Sequence, residues 1–392
     1  MQCFYHGKIL LKDGICTDKA VFVEGGKIFE IAAPDQNPEL YARAEKIDLR
    51  GNILLPGFID IHVHGGGGAD FMDGSAEAMR TAAFTHLRHG TTTIFPTTMS
   101  AKFGEIMQTI SVYRMFLKDE EAATLCGGLH LEGPFISPKM SGAQRRDLIY
   151  MPTEEMTKTL KANSDVIARI SCAPEENGVL KMAEELLPCG VQFSMGHTAA
   201  TYEQAEIAAQ KGFTSVTHLY SATSGFHKVD QKVHIGVTQA GYGIDELYVE
   251  LIGDGCHVPK ELLRLVSRLK GEDKICLVTD AMRAAGTNAK ESYLGAIRPE
   301  NRVIIDDGVA KLPDKSSFAG SIGTMDKAFR FAVLSAGLSI EEASRITSYN
   351  QAKLMKIENK KGSIERGKDA DFVSLDEKLC VSGVYVRGKK RA

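Results

Sequence analysis

The chain has 392 residues, with 47 Lys and Arg against 50 Asp and Glu, a net charge of −3 and 43% hydrophobic residues. That balance leaves no basic surplus to neutralise a phosphate backbone, which argues against a nucleic-acid partner, and supplies ample apolar material for a core, which argues against disorder. The length allows two or three domains or one large α/β barrel with an appendage, and no apolar run approaches the roughly 20 residues of a membrane helix.

The start, Met1-Gln2-Cys3-Phe4-Tyr5-His6-Gly7-Lys8, lacks a charged segment followed by a long apolar one, so secretion is not expected. The next residues read as short strands at 8–11, 20–24 and 27–31 joined by Asp13-Gly14 and Gly25-Gly26 turns, the pattern of hairpins in a small β unit. From 53 onward, apolar runs alternate with amphipathic stretches. Strands are predicted at 53–61, 92–96, 125–131, 168–172, 191–195, 215–217, 248–252 and 275–278, with helices at 76–88, 154–162, 179–187 and 261–269 between them. Thr201 with Gln204, and Ser339 with Glu342, form capping boxes before 205–210 and 343–355. Eight buried strands separated by helices predict an α/β fold of the (β/α)8 TIM-barrel type. Strand texture returns at 371–375 and 384–386, so both chain ends are expected to pair into one small β-sandwich domain, giving a division into 1–55, 56–360 and 361–392. The eight cysteines (3, 16, 126, 172, 189, 256, 276 and 380) include no Cys-x-x-Cys pair, and 126, 172, 189 and 276 lie in or beside apolar runs as buried free thiols would. A reduced, cytoplasmic protein is expected.

Functional groups of such a barrel stand at the C-terminal ends of its strands. The first strand closes on Asp60-Ile61-His62-Val63-His64, and residues two apart share a face, so both imidazoles can enter the barrel mouth before Gly65-Gly66-Gly67-Gly68 turns the chain away. The third closes on Glu132-Gly133-Pro134, the fifth on Gly196-His197-Thr198, the sixth on Thr217-His218-Leu219-Tyr220 and the eighth on Thr279-Asp280-Ala281. A lone strand-end His or Asp is ordinarily a loop anchor. His62, His64, His197 and His218 with Glu132 and Asp280, all at strand ends, instead make a site for one or two divalent ions, zinc or a similar metal, with positions left for water. A metal so held lowers the pKa of bound water to about 7 and polarises a carbonyl, which is hydrolytic chemistry. Asp280 would take the proton and return it to the leaving group. His257, in Asp254-Gly255-Cys256-His257 after the seventh strand, could polarise the scissile carbonyl or contact substrate oxygens.

The ordered set His62-Val63-His64-Gly65, Leu131-Glu132-Gly133-Pro134-Phe135, Gly196-His197-Thr198, Thr217-His218-Leu219-Tyr220, Asp254-Gly255-x-His257 and Thr279-Asp280-Ala281-Met282 resembles the amidohydrolase superfamily and, within it, the N-acetylglucosamine-6-phosphate deacetylase family. Ala173-Pro174-Glu175, Ala319-Gly320-Ser321 and the Gly367-Lys368-Asp369-Ala370-Asp371-Phe372 return into the β domain are similar to family motifs, so the resemblance covers essentially the whole chain. It implies a metal on Glu132, His197 and His218, a second ion on His62 and His64, Asp280 as catalytic acid and base at the metal, and His257 as a substrate contact. It also implies cytoplasmic amino-sugar catabolism and a homodimer with an amino-sugar phosphate as its small-molecule partner.

Departures fall on recognition. Where the family has an Asn after Thr-His-Leu-Tyr, this chain has Ser221 followed by Ala222; where an Arg meets the phosphate it reads Lys228-Val229, without a bidentate fork; and the family's Gly-Ala-His is Gly142-Ala143-Gln144. The substrate-binding set is thus Ala143, Gln144, Ser221, Ala222, Lys228 and His257, with Arg145, Arg146 or Lys232 as other phosphate anchors. The reaction implied is hydrolysis of N-acetylglucosamine 6-phosphate to glucosamine 6-phosphate and acetate. The alternatives are a related N-acylated amino sugar such as N-acetylgalactosamine 6-phosphate, a cyclic amide, or an assembly protein without catalysis. Cyclic amidohydrolases commonly carry a carboxylated Lys on strand 4, which here ends in Ser171-Cys172-Ala173-Pro174. His86, His89 and the basic tail 387–391 need no functional role.

Overall fold

Residues 53–61 form two strands rather than one. Ile53–Pro56 joins the sheet of the chain ends, and Phe58–Val63 enters the barrel. A Cβ on Gly57 between them would lie 2.1 Å from Thr92 Oγ1, so the crossing from one sheet to the other is open only to glycine.

The computed structural model describes residues 1–392. Its barrel strands are β1 (Phe58–Val63), β2 (Thr91–Thr98), β3 (Leu129–Glu132), β4 (Ile167–Cys172), β5 (Gln192–Met195), β6 (Phe213–Val216), β7 (Tyr248–Ile252) and β8 (Ile275–Val278), each parallel to the next in chain order. The ring closes by backbone hydrogen bonds: Asp280 N–H donates to the His62 carbonyl at 2.9 Å, and His64 N–H to the Ala281 carbonyl at 2.8 Å. Asp60 ties the same seam, accepting from the Thr279 hydroxyl at 2.5 Å. The expected third strand at 125–131 is shortened, because Asp119 caps the backbone N–H groups of Glu121 and Ala122 and starts a helix, Glu120–Leu125, that occupies its first residue. Helices Ala76–Arg88, Glu154–Lys161, Val179–Leu186 and Lys260–Lys270 fall where periodicity put them, and both capping boxes form.

The chain ends build two facing sheets. One runs Lys389–Lys390, Val381–Val386, Phe372–Leu375, Ile53–Pro56, Lys8–Leu11, Gly14–Cys16; the other runs Lys27–Ala32, Ala20–Glu24, Gln2–Tyr5, Glu45–Asp48. Phe4 from one sheet packs edge-on against Phe372 and Tyr385 of the other, at ring distances of 5.2 and 4.9 Å.

Among the elements with no counterpart in the sequence reading are two β units. After β8 the chain makes an antiparallel meander, Glu291–Tyr293, Arg302–Asp306, Val309–Lys311 and Phe318–Ser321, whose last strand returns to the barrel mouth through Ser321 N–H on the Asp280 carbonyl. After β6, His227–Val229 and Lys232–His234 form an exposed hairpin. Cys189, expected in the core, is exposed at the end of its helix, whereas Cys172 and Cys276 are buried. No helix is long and apolar enough to cross a membrane.

Candidate active site

Each predicted ligand is carried to the mouth by its strand. His62 lies within β1 and Glu132 ends β3, while His64, His197, His218 and Asp280 follow β1, β5, β6 and β8 within two residues. His197, His218 and Asp280 take left-handed backbone angles (φ 49°, 27° and 47°), turning the chain as it leaves the strand. Glu132 is the hub. Its Oε1 lies 2.9 Å from His218 Nε2, 3.3 Å from His197 Nε2 and 3.4 Å from His62 Nε2, and its Oε2 lies 3.4 Å from His64 Nε2. Asp280 Oδ1 faces His64 Nε2 at 3.2 Å and His62 Nε2 at 3.5 Å. Two donor groups result, His62 with His64 and Glu132, and Glu132 with His197 and His218.

Hydrogen bonds behind two of the rings fix which of their nitrogens face inward. His197 Nδ1 lies 2.8 Å from the Met140 carbonyl and His62 Nδ1 lies 3.2 Å from Glu250 Oε2; both partners only accept, so Nδ1 carries the proton and a neutral ring presents its Nε2 lone pair to the centre. His62 Nε2 and His64 Nε2 are 3.3 Å apart. Lone pairs converging on ionised carboxylates call for a cation among them, and the donor set fits a divalent metal. The electrostatics express the same demand for positive charge, which a proton on His62 meets as a metal would. Burial opposes charge on His62, but the carboxylates of Glu132 and Asp280 outweigh it and draw the ring well above its ordinary pKa; burial likewise opposes ionisation of Glu132, and His62 and His197 hold it well below the carboxylate range.

Supporting residues were given no role in the sequence reading. Arg169 and Glu250, inside β4 and β7 and fully buried, form an ion pair behind His62. Glu175, in the Ala173-Pro174-Glu175 motif, accepts from the Thr198 hydroxyl at 2.6 Å and the Ala199 N–H, clamping the loop that follows His197. Ionisable residues in the middle of apolar runs were the available signal for Arg169 and Glu250.

The cluster opens into a cavity of about 180 Å³ lined by Ala143, Gln144, Ser221, Ala222 and His257 as well as Phe318 and Leu294 of the meander. His257 Nδ1 donates to Asp254 Oδ2 at 2.7 Å, leaving Nε2 for the cavity. A larger hollow of about 270 Å³ shares Met99, Ala143 and Leu294 with it but contains none of the ligand cluster. Lys228 is not brought to the cavity: its hairpin is exposed throughout, and the two-residue turn at Asp230 and Gln231 projects it into solvent. Arg145 is committed to Asp147 and Glu300. Gln144 lines the cavity with its amide turned onto Glu132 and Ser100.

The amidohydrolase family model matches residues 53–391. The N-acetylglucosamine-6-phosphate deacetylase of Lysinibacillus sphaericus is 37% identical over 375 residues, covering 95% of this chain and 92% of that one. The crystal structure of the enzyme of that name from Pasteurella multocida aligns at a TM-score of 0.92 and 32% identity, covering 100% of this chain and 99% of the other. An Asp-to-Ala mutant of the Mycobacterium smegmatis deacetylase, in complex with N-acetyl-D-glucosamine-6-phosphate, aligns at 0.88 and 28% identity over 99% of this chain and 98% of its own. A closed parallel barrel with histidine and carboxylate donors at its mouth, matched along almost its full length in both sequence and structure, places this chain in the amidohydrolase family.

Proposed function

We propose that this protein hydrolyses the N-acetyl amide of N-acetylglucosamine 6-phosphate to glucosamine 6-phosphate and acetate. The observation that carries the proposal is the arrangement of Asp280 beside the Glu132-centred donor cluster on one small cavity, in a chain similar over nearly its whole length to deacetylases of that substrate. Glu132, His197 and His218 would hold one divalent ion, and His62 with His64 a second; imidazole and carboxylate donors favour zinc. Such an ion supplies Lewis-acid polarisation of the acetyl carbonyl and acidifies water.

The chain's own groups do the rest. Burial opposes ionisation of Asp280, but positive charge at His62 and His64, from protons or from a bound cation, holds its pKa low, so its carboxylate can accept a proton from the attacking water. As the water oxygen bonds to the acetyl carbon and the carbon–nitrogen bond breaks, Asp280 returns that proton to the departing nitrogen. His257, held by Asp254, presents Nε2 to a substrate oxygen. Replacing Asp280 with Asn keeps acceptor geometry at one oxygen and removes the base. D280N is expected to retain fold and bound metal while turnover falls by roughly 10²- to 10⁴-fold, read by acetate release and metal analysis. Near wild-type turnover refutes the role.

One observation favours a second reading. No Lys or Arg lines the cavity, so nothing in it matches a phosphate by formal charge. Acetate release from N-acetylglucosamine, N-acetylgalactosamine and N-acetylmannosamine, each with and without 6-phosphate, separates the readings: equal rates on unphosphorylated sugars would replace the phosphate substrate by a neutral one. A homodimeric assembly and a cytoplasmic setting complete the proposal; the family resemblance supports both, and the unpaired cysteines support the second.

A further inference from the structure

We infer that Gln144 is a positioning residue that orients Glu132, the carboxylate at the centre of the donor cluster, and is not a contact for the sugar. The inference rests on the metal-dependent reading of the site.

The orientation of the amide follows from its partners. The Ser100 backbone N–H can only donate, and it lies 2.8 Å from one end of the Gln144 side chain, so that end is Oε1. The other end is therefore Nε2, 2.8 Å from Glu132 Oε2 and 3.3 Å from His197 Nε2. An inverted amide would set an oxygen against the carboxylate and two N–H groups against each other. Gln144 is buried, and its oxygen is spent on the backbone while its N–H groups point at ligand atoms.

The amide makes the two oxygens of Glu132 unequal. The terminal torsion of a Glu side chain is broad and nearly two-fold, so packing alone selects its plane poorly. With Oε2 held by Gln144, the plane is set and Oε1 is delivered to His197, His218 and His62. The backbone is shaped for this contact. Gly133, directly after Glu132, has φ +73°, and a Cβ there would lie 2.3 Å from Ser100 Oγ and 3.3 Å from Gln144 Oε1, so any other residue would push the Ser100 segment and the amide apart. Gln144 thereby locks the end of β2 to the end of β3.

Groups that orient metal ligands typically change metal affinity by about 10- to 100-fold when removed. The test is Q144M, which keeps volume and deletes both hydrogen bonds. Zinc affinity is measured by competition with a chromophoric chelator in the absence of substrate, and KM and kcat for N-acetylglucosamine 6-phosphate at saturating zinc. Expected are a loss of zinc affinity of about 10- to 100-fold and a KM within about threefold of wild type. Wild-type zinc affinity with a KM raised about tenfold or more would show the amide serving the sugar and overturn the inference. Should Q144M not fold, as judged by circular dichroism, Q144N keeps the amide but is one methylene too short for both contacts, and unchanged zinc affinity in it overturns the inference equally. Because affinity is read without substrate, a wild type that binds zinc but releases no acetate refutes the assigned substrate while the comparison of Gln144 variants stands.

Discussion

Arg169 and Glu250 stand in the interior of β4 and β7, where a barrel of this kind ordinarily stacks Val, Ile and Leu. Both are fully buried and ion-paired; Arg169 also donates to Ser215 Oγ at 3.0 Å, and Glu250 accepts from His62 Nδ1 at 3.2 Å. Burial alone would keep Glu250 neutral, but Arg169 first and His62 second hold its pKa below the ordinary value. Removing Arg169 leaves a buried carboxylate short of its countercharge, so R169M is expected to lose about 3–5 kcal/mol in urea unfolding. The double variant R169M/E250Q, in which the charge is gone as well, should recover part of that loss; a loss below about 1 kcal/mol in R169M would mean the pair is not buried as described. These two residues also show where reading the sequence fell short. His62, His64, Glu132, His197, His218 and Asp280 are legible because a barrel of this kind carries its functional groups at strand ends, and the structure brings all six together. Arg169 and Glu250 are equally visible as charges within apolar runs, but a barrel of this kind is expected to carry its chemistry at strand ends and not at strand middles. Lys228 was less legible: closeness to His218 along the chain says nothing about direction, and within one chain the hairpin carries it away from the cavity. Gln144 was read by its position in a motif, whereas the orientation of its amide is set by Ser100, a partner 44 residues away.

Elements were legible to the degree that local chemistry decides them. The helix from Ile340 follows a box in which Ser339 Oγ accepts from Glu342 N–H at 3.1 Å and Glu342 Oε2 accepts from Ser339 N–H at 2.6 Å, a pattern readable from two residues. S339A removes one of these bonds at an exposed helix start remote from the cavity, so thermal or urea unfolding should show a loss of about 1 kcal/mol with kcat unchanged. A loss of activity without a loss of stability would contradict a purely capping role. Strand limits were less legible wherever a tertiary contact decides them. Gly57 breaks an apolar run because Thr92 lies against it, and nothing in 53–61 announces that neighbour. The meander at 291–321 does carry a signal, Asp307-Gly308 between Val303-Ile304-Ile305 and Val309-Ala310, but it interrupts a barrel pattern that had already reached eight strands. Its consequence is functional, since it supplies Leu294 and Phe318 to the cavity wall, and Phe318 packs edge-on to His257 at a ring distance of 4.8 Å.

At the scale of the molecule, barrel, helices and mouth loops are held together by buried polar ties as well as by the apolar core, and one of them makes stability depend on pH. His86, in the helix Ala76–Arg88 and fully buried, donates from Nε2 to the Gly65 carbonyl at 2.9 Å, fastening the helix to the loop that follows His64. Burial pushes its pKa down to about 4, so the native ring is neutral across the physiological range, whereas an unfolded chain protonates it near the ordinary 6.5. The depressed value sets the sign. Above about pH 6.5 both states are neutral and the tie contributes fully; as pH falls from 6.5 towards 4 the unfolded chain takes up a proton that the native state refuses, and stability drops by an amount on the order of 3 kcal/mol; below about 4 both are protonated and the loss levels off. The other titrating groups of the site respond to acid too, so the informative quantity is a difference between proteins. H86Q keeps an N–H donor for Gly65 and cannot titrate in this range. Urea unfolding of wild type and H86Q between about pH 7 and pH 4.5 should show the wild type losing ground steadily to the variant as acid is added, with contributions common to both cancelling. Parallel stability curves would mean that His86 is charged or hydrated in the native state, and that the helix is not fastened to the barrel mouth by a neutral imidazole.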